Sequence, residues 1–223
     1  MTAETLSTFH LIPRLQRQAH EHKGHAGKVL IIGGAPGMAG AALLAGRAAL
    51  HAGAGWVILG FIDERAVSVL SDQPELMLRI AQAGDIEKIQ PDVIAIGPGL
   101  GQGDLAKRLL LESLRSTALL VIDADAINLI ATDPHLLSQL KARPSLSTVL
   151  TPHPGEAANL LKETTEQIQA DREAAIQKLV ELTQSIVVLK GARTLICDGR
   201  DPELTVAVSS NGCPAMATAG SGD

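Results

Sequence analysis

Short apolar runs alternate with helical segments along nearly the whole chain, and most of the runs end at a turn rich in glycine or proline. The first run, residues 28–32, is followed by two glycines, and the helix predicted for residues 39–52 is closed by Gly53. Strands that alternate with helices form a parallel sheet whose two faces are covered by helices. This alternation predicts an α/β fold.

The remaining elements follow the same pattern. Further strands are predicted at residues 56–60, 92–96, 118–122, 147–150 and 186–189, and further helices at 104–115, 125–141, 155–162 and 165–184. Two late apolar runs, 194–197 and 204–208, are separated by a turn-rich segment and predict a hairpin. Because no repeat or linker divides the chain, we expect one domain over residues 1–223, with residues 1–25 as an N-terminal arm or helix outside the main sheet.

Composition and charge exclude several classes of function. A net charge of −5, with one tryptophan, two phenylalanines and no tyrosine, argues against nucleic-acid binding. No apolar run reaches the length of about 18 residues that spans a bilayer, so we expect no membrane association. Two cysteines are too few for a disulfide framework or a zinc site. The first residues lack the layout of a signal peptide, so we expect a cytoplasmic protein.

Loops rich in glycine, proline and aspartate follow the predicted strands at the edge where open parallel sheets bind ligands. They are residues 33–40 (GGAPGMAG), 97–101 (GPGLG), 123–125 (DAD), 151–156 (TPHPGE) and 190–194 (KGART). Glycine lets backbone N–H groups approach a ligand closely, and several such loops on one edge suit a ligand that carries phosphate. The spacing fits neither the dinucleotide-binding G-x-G-x-x-G pattern nor a Walker P-loop, so a nucleotide would be held by another arrangement.

The chain closes with Gly220, Ser221, Gly222 and Asp223. Flexible backbone directly before a carboxylate suits phosphoryl transfer: Asp223 could accept a proton from a substrate hydroxyl while the glycine N–H groups hold the transferred group. For this segment alone, a C-terminal tail without catalytic function is the competing interpretation.

Together these motifs resemble the ADP- or ATP-dependent NAD(P)H-hydrate dehydratases, a branch of the ribokinase-like superfamily. The resemblance runs from residues 22–24 (HKG) through the five loops to residues 220–223 (GSGD). It implies a three-layer α/β/α fold with a mostly parallel central sheet. It also implies a homotetrameric repair enzyme that returns hydrated NADH or NADPH to the active cofactor. ADP or ATP, with Mg²⁺, would be the co-substrate, and ADP would yield AMP and phosphate.

The resemblance also implies roles for individual residues. Asp223 would be the general base and contact the hydrate. The other positions that would line the hydrate are Ala41, Gly99 and His153. The nucleotide would be contacted by Lys190, Gly191, Ala192, Arg193, Thr194 and Gly222. No residue is implied as a metal ligand.

For several positions the residues alone leave a second interpretation open. His153 could order a proline-flanked turn, and Lys190 could be a solvated strand end. Glu156 could complement the dipole of the helix that it begins. Asp123 and Asp125 could either help to hold Mg²⁺ or cap the next helix.

The sequence departs from the family pattern near its end. Ala215 and Ala219 stand where the family usually has glycine, and alanine at a position with positive φ costs about 1–2 kcal/mol. The family continues past the GxGD motif into further helices, so we expect the family fold with impaired activity if Asp223 is a natural terminus. We expect no epimerase domain ahead of the motifs, and therefore no dual activity. Two alternatives stay open, a small-molecule kinase of the same fold and a nucleotide-binding module without catalysis.

Overall fold

The computed structural model describes residues 4–5, 13, 23–199 and 205–209, and these form an α/β structure around one ten-stranded sheet. The strands are β1 (Glu4–Thr5), β2 (Lys28–Gly33), β3 (Trp56–Phe61), β4 (Met77–Ile80), β5 (Val93–Ile96), β6 (Leu119–Ile122), β7 (Thr148–Leu150), β8 (Ile186–Leu189), β9 (Thr194–Cys197) and β10 (Val206–Ser209). The helices are α1 (Ala39–His51), α2 (Asp85–Ile89), α3 (Asp104–Arg115), α4 (Ala124–Thr132), α5 (Pro134–Lys141), α6 (Pro154–Leu161), α7 (Thr165–Ala170) and α8 (Arg172–Thr183).

The strand order explains why the loops meet. It runs β1-β10-β9-β8-β7-β6-β5-β2-β3-β4. Strands β2 to β8 are all parallel to their neighbours within that group, whereas β9 is antiparallel to both β8 and β10. The carboxyl ends of these seven strands, together with those of β1 and β10, therefore lie on one edge of the sheet. The predicted α/β fold with a mostly parallel sheet is confirmed.

Strand β2 shows how the sheet separates two cores. Leu30 and Ile32 belong to a large cluster with buried residues of α3 to α8, whereas Ile31 belongs to a smaller cluster with α1. Successive side chains of a strand point to opposite faces, so one apolar run supplies both cores. Ala42 and Gly46 are the buried residues of α1, and their small size lets this helix lie close to the sheet. The result is the expected arrangement of helix, sheet and helix layers.

Two predicted helices are each divided by an internal cap. Helices α4 and α5 replace the single helix predicted for 125–141, because the Asp133 side chain accepts a hydrogen bond from the His135 N–H and Pro134 begins a new helix. Helices α7 and α8 replace the helix predicted for 165–184, because Asp171 accepts a hydrogen bond from the Ala174 N–H. In both places a side chain that competes for backbone N–H groups ends one helix and starts another.

The sheet edges differ most from the prediction. Strand β4 and helix α2 were not predicted, and β4 is an edge strand whose side chains are at most half-buried. Glu4 and Thr5 pair with Ala207 and Val208, so this part of the predicted arm belongs to the sheet rather than lying outside it. The predicted hairpin is confirmed by the antiparallel pairing of β9 with β10. Among the residues described, no helix has the length and hydrophobicity needed to cross a bilayer.

Arg143 ties the end of α3 to the beginnings of two strands. Its guanidinium donates hydrogen bonds of 2.6–3.2 Å to the carbonyl oxygens of Ser113, Leu114, Ser116 and Ala118 and to the Thr148 hydroxyl. The last carbonyls of a helix have no partner within the helix, so one planar side chain with five donors satisfies several of them together. Burial lowers the pKa of Arg143.

We predict that Arg143→Met lowers the free energy of unfolding by about 2–4 kcal/mol, because it leaves several carbonyl groups without a hydrogen-bond donor. Urea denaturation followed by circular dichroism measures the change. Arg108→Met, on the exposed face of α3, is the matched control and should stay within about 0.5 kcal/mol of the unmodified protein. Equal losses in the two variants would contradict this account.

Candidate active site

The loops that follow β2 and β5 lie against each other at the carboxyl edge of the sheet. The Gly34 N–H donates to the Pro98 carbonyl oxygen at 3.0 Å, and the Ala35 N–H donates to the Gly99 carbonyl oxygen at 2.6 Å. These hydrogen bonds join two stretches of backbone that lie more than 60 residues apart in the sequence. The GGAPGMAG and GPGLG motifs therefore form one surface.

Gly99 has to be glycine at this contact. Its φ is +57°, and a Cβ on it would lie 2.6 Å from the Met38 Cβ and 3.5 Å from the Ala41 Cβ. The absence of a side chain brings the loop against the first turn of α1. Ala41 and Gly99, both predicted to line one ligand, are thus brought together.

Asp123 joins the ends of three strands. Its Oδ1 accepts hydrogen bonds from the Thr151 hydroxyl at 2.8 Å and from the Lys190 Nζ at 2.7 Å. The Asp123 side chain is only 7% exposed and that of Lys190 24% exposed. The Lys190 N–H also donates to the Pro152 carbonyl oxygen at 2.8 Å. The interpretation of Lys190 as a solvated strand end is therefore wrong.

The segment from Asp123 to Asp125 connects two further loops and does not cap its helix through a side chain. Asp123 occupies the N-cap position of α4 but makes no side-chain capping bond. Ala124 is in the left-handed region with φ +47°, which is uncommon for residues other than glycine. Asp125 Oδ2 accepts a hydrogen bond from the Gly101 N–H at 2.8 Å. The capping interpretation of Asp123 is wrong, because the two carboxylates bind different loops.

His153 and Glu156 form a reciprocal cap at the start of α6. The His153 Nδ1 accepts a hydrogen bond from the Gly155 N–H at 3.0 Å, and its Nε2 lies 3.0 Å from Glu156 Oε1. Glu156 Oε2 accepts a hydrogen bond from the His153 N–H at 2.8 Å. Burial, and next the charge of Lys190, lower the pKa of His153 and favour the neutral ring. Because Nδ1 accepts a hydrogen bond, the proton of that ring is on Nε2. The proposal that His153 orders this turn is confirmed.

Both ring nitrogens of His153 are thus engaged, but its side chain is still 55% exposed. A ligand at this edge can therefore reach the face of the imidazole without breaking the cap. Burial raises the pKa of Glu156 to about 7, although the hydrogen bond from the His153 N–H and the charge of Lys190 act in the opposite direction. Glu156 does lie in the first turn of α6, as expected, but it complements the helix dipole fully only above neutral pH.

The predicted nucleotide loop begins at Lys190 and is open to solvent. Gly191, Ala192 and Arg193 are exposed, and the Thr194 hydroxyl donates to the Gly191 carbonyl oxygen at 3.1 Å. These five residues therefore form one turn beside Asp123. Gly222 and Asp223 lie outside the described residues, as do Ala215, Ala219 and residues 220–221.

Arg172 is a site residue that the motifs did not reveal. It occupies the first position of α8, and its guanidinium donates to the carbonyl oxygens of Leu189 and Lys190 at 3.1 Å each. The sequence does carry one signal for it, because the dipole of a helix disfavours a cation in the first turn. An arginine there needs another reason, and the contact with the nucleotide loop supplies it.

The described side chains form no metal site made of protein ligands alone. Within residues 23–199 and 205–209, no group of three or more His, Cys, Asp or Glu is placed to hold a metal ion. One oxygen of Asp123 and one of Asp125 accept hydrogen bonds from protein donors, whereas Glu156 contacts His153 through both of its oxygens. Because Mg²⁺ is commonly held by one or two carboxylates together with phosphate oxygens and water, the interpretation that Asp123 and Asp125 help to hold it stays a prediction.

The mostly parallel sheet, with ligand-type loops at one edge, places the protein in the ribokinase-like superfamily of α/β enzymes. A solved ADP/ATP-dependent NAD(P)H-hydrate dehydratase from Bacillus subtilis, co-crystallised with ATP and Mg²⁺, is similar with a TM-score of 0.78 and 25% identity. The match covers 99% of this chain and 77% of that chain.

A sequence model of the NAD(P)H-hydrate dehydratase family matches residues 29–223, and the chain belongs to this family. It is 40% identical to the ADP-dependent (S)-NAD(P)H-hydrate dehydratase of Neisseria meningitidis, over 93% of this chain and 69% of the relative. It is 42% identical to the bifunctional NAD(P)H-hydrate repair enzyme of Coxiella burnetii, over 99% of this chain. The chain spans 43% of that bifunctional relative's length. The resemblance read from the motifs is confirmed.

We predict that Glu156→Gln removes a pH-dependent loss of stability. The folded protein keeps a proton on Glu156 up to about pH 7, whereas the unfolded chain releases it near the ordinary glutamate pKa of 4.5. The folded protein therefore loses stability as the pH rises from 4.5 to about 7. Glutamine has no proton to release in this range, so the variant does not show this loss. Between about pH 5 and about pH 8, the free energy of unfolding should fall by on the order of 2 kcal/mol less in the variant than in the unmodified protein.

Urea denaturation at the two pH values measures this difference. Glu173→Gln is the matched control, because Glu173 is exposed in the first turn of α8 and should leave the pH dependence unchanged. If Glu156→Gln and the unmodified protein show parallel pH profiles, the raised pKa is wrong.

Proposed function

We propose that this protein converts (6S)-NAD(P)H hydrate back to NADH or NADPH in a reaction driven by ADP, releasing AMP and phosphate. Membership of the NAD(P)H-hydrate dehydratase family supports the substrate, and the relative named as ADP-dependent supports the nucleotide. The solved relative co-crystallised with ATP and Mg²⁺ leaves ATP as a second co-substrate to be tested.

The contact of Lys190 with Asp123 is the observation that carries this proposal. It draws the end of β8, where the nucleotide loop begins, against the ends of β6 and β7. The same edge holds His153 and, through the GPGLG loop, Ala41. A nucleotide and a hydrated dinucleotide bound at their implied positions would therefore be neighbours, as direct phosphoryl transfer requires.

The chemistry explains why a nucleotide is needed. Hydroxide is a poor leaving group and phosphate is a good one. The hydrate hydroxyl oxygen would attack the terminal phosphorus of ADP, the bond to the AMP oxygen would break, and the hydroxyl proton would pass to Asp223. The ring nitrogen lone pair would then expel phosphate, and loss of a ring proton would restore the double bond. Most of the protein's contribution is positioning and charge stabilisation.

The described residues can supply that positioning. The small surfaces of Ala41 and Gly99, together with the exposed ring face of His153, would line the hydrate. The Lys190 ammonium and the turn from Gly191 to Thr194, including Ala192 and Arg193, would hold the diphosphate. Gly222 and Asp223 would complete the nucleotide site and the base, respectively. Mg²⁺ would be held by phosphate oxygens and water, with Asp123 and Asp125 as the nearby carboxylates that could contribute.

Three broader features belong to the same proposal. The whole chain would act as one ribokinase-like domain. A cytoplasmic location would place it with the NADH and NADPH pools that generate its substrate. The homotetramer implied by the resemblance is tested by sedimentation equilibrium, where a monomeric mass would reject it.

We predict that the purified protein with NADPH hydrate and ADP regenerates NADPH absorbance and releases one phosphate per NADPH. Parallel reactions with ATP give the nucleotide preference. Formation of a stable phosphorylated small molecule would instead indicate a kinase. Thermal stabilisation by ADP without phosphate release would indicate a binding module.

We further predict that Lys190→Met lowers kcat/KM for ADP-dependent repair by about 10²- to 10³-fold, because it removes a cation beside the transferred group. Lys107→Met, an exposed position on α3, is the matched control and should retain full activity. Lys190→Met leaves the buried Asp123 carboxylate without its cation, which can itself destabilise the fold. The double variant Asp123→Asn with Lys190→Met removes both charges, so it separates the loss of stability from the loss of the catalytic cation. Near-normal activity in a folded Lys190→Met variant would exclude this role.

A further inference from the structure

The guanidinium of Arg172 lies directly beneath the turn at which the proposed nucleotide would bind. Its Nη2 donates to the carbonyl oxygens of Leu189 and Lys190 at 3.1 Å each. Gly191 has φ +154°, and a Cβ on it would lie 2.7 Å from that Nη2 and 3.1 Å from Cζ. The guanidinium therefore packs closely against the backbone of Gly191, where a side chain would push it away.

This arrangement concentrates positive charge at the turn. Arg172 forms no ion pair with a carboxylate in the described part of the chain, and its Nε is buried without a hydrogen-bond partner there. Arg193 lies close enough for its charge, after burial, to lower the pKa of Arg172. The Asp123 carboxylate forms an ion pair with the Lys190 ammonium. Lys190, Arg172 and Arg193 thus lie around one turn, and among the described carboxylates only Asp123 forms an ion pair with any of them, a balance that suits an anion.

The hydrogen bonds of Arg172 also set the direction of the backbone. In a trans peptide unit the N–H points opposite to the C=O. Because the Lys190 carbonyl points towards Arg172, the N–H of Gly191 points away from it. That N–H finds no acceptor among the residues described, whereas the N–H of Lys190 is bound by the Pro152 carbonyl oxygen. One unpartnered donor therefore faces away from the arginine at the open turn.

We infer that Arg172 is a positioning residue for the nucleotide: it holds the carbonyls of Leu189 and Lys190 so that the Gly191 N–H is presented to the ADP diphosphate. The inference rests on the proposed function for the identity of the anion. Arg172 acts through the turn and does not itself touch the reacting atoms. A lysine cannot replace it, because an ammonium cannot both bridge two carbonyls and pack flat against Gly191.

The test measures ADP binding by calorimetry and steady-state kinetics on the whole chain. We expect Arg172→Ala to weaken ADP binding about tenfold or more, and to raise the KM for ADP equally, while the KM for the hydrate stays unchanged. Arg172→Lys should recover little of the loss. Added guanidinium ion should recover part of it in Arg172→Ala, and ammonium at the same concentration should not.

Arg108→Ala, which removes an exposed arginine of α3, is the matched control and should bind ADP like the unmodified protein. Unchanged ADP affinity in folded Arg172→Ala would overturn the inference, and so would equal rises in the KM of both substrates. If Arg172→Ala does not fold, the test is made with Arg172→Lys. Normal ADP affinity in that variant would overturn the inference.

The two proposals fail separately. An unmodified protein that binds ADP through Arg172 but regenerates no NADPH would reject the proposed function and leave the inference standing. An enzyme that regenerates NADPH with the same KM for ADP in Arg172→Ala would reject the inference alone. An unmodified protein that binds no ADP would reject both.

Discussion

A buried carboxylate–ammonium contact, between Asp123 and Lys190, is the interaction on which the rest of the site depends. Each parallel strand ends in a loop, but adjacency in a sheet does not by itself fix how those loops lie. Asp123 fixes it by binding Thr151 and Lys190 together. Removing one partner of such a pair typically costs about 3–5 kcal/mol, because the other charge stays buried and unpaired. The organisation of the edge and the stability of the fold are therefore coupled.

The charges at this edge divide into a neutral side and a positive side. On the neutral side, burial lowers the pKa of His153 and raises the pKa of Glu156 to about 7, so both groups carry less charge than they would in water, which suits contact with the flat rings of a dinucleotide. On the positive side, Arg172 and Arg193 lie near Lys190 without carboxylates of their own in the described residues. A dinucleotide and a diphosphate would divide naturally between these two sides. This division would let one edge of the sheet hold two different ligands.

Much of the fold and part of the site could be predicted from the sequence. The strand runs 28–32 and 186–189 were located because each is a short apolar segment that ends at glycine or lysine. The division of two helices at Asp133 and Asp171 was missed, because helical periodicity continues through an internal cap. The edge strand β4 was missed because it has only four residues and Arg79 interrupts its apolar side chains. Arg172 belongs to no motif, and its role depends on a contact with a loop 17–18 residues away that only the folded chain reveals.

The central claim is that one edge of the sheet seats both ligands side by side across the Asp123–Lys190 contact. A crystal structure of the protein with ADP and NADPH bound together tests it most directly. The account predicts the ADP diphosphate within hydrogen-bonding distance of the Gly191 N–H, and the nicotinamide ring against His153 and Gly99. Ligands bound at the amino edge of the sheet, or a diphosphate remote from Lys190, would contradict it.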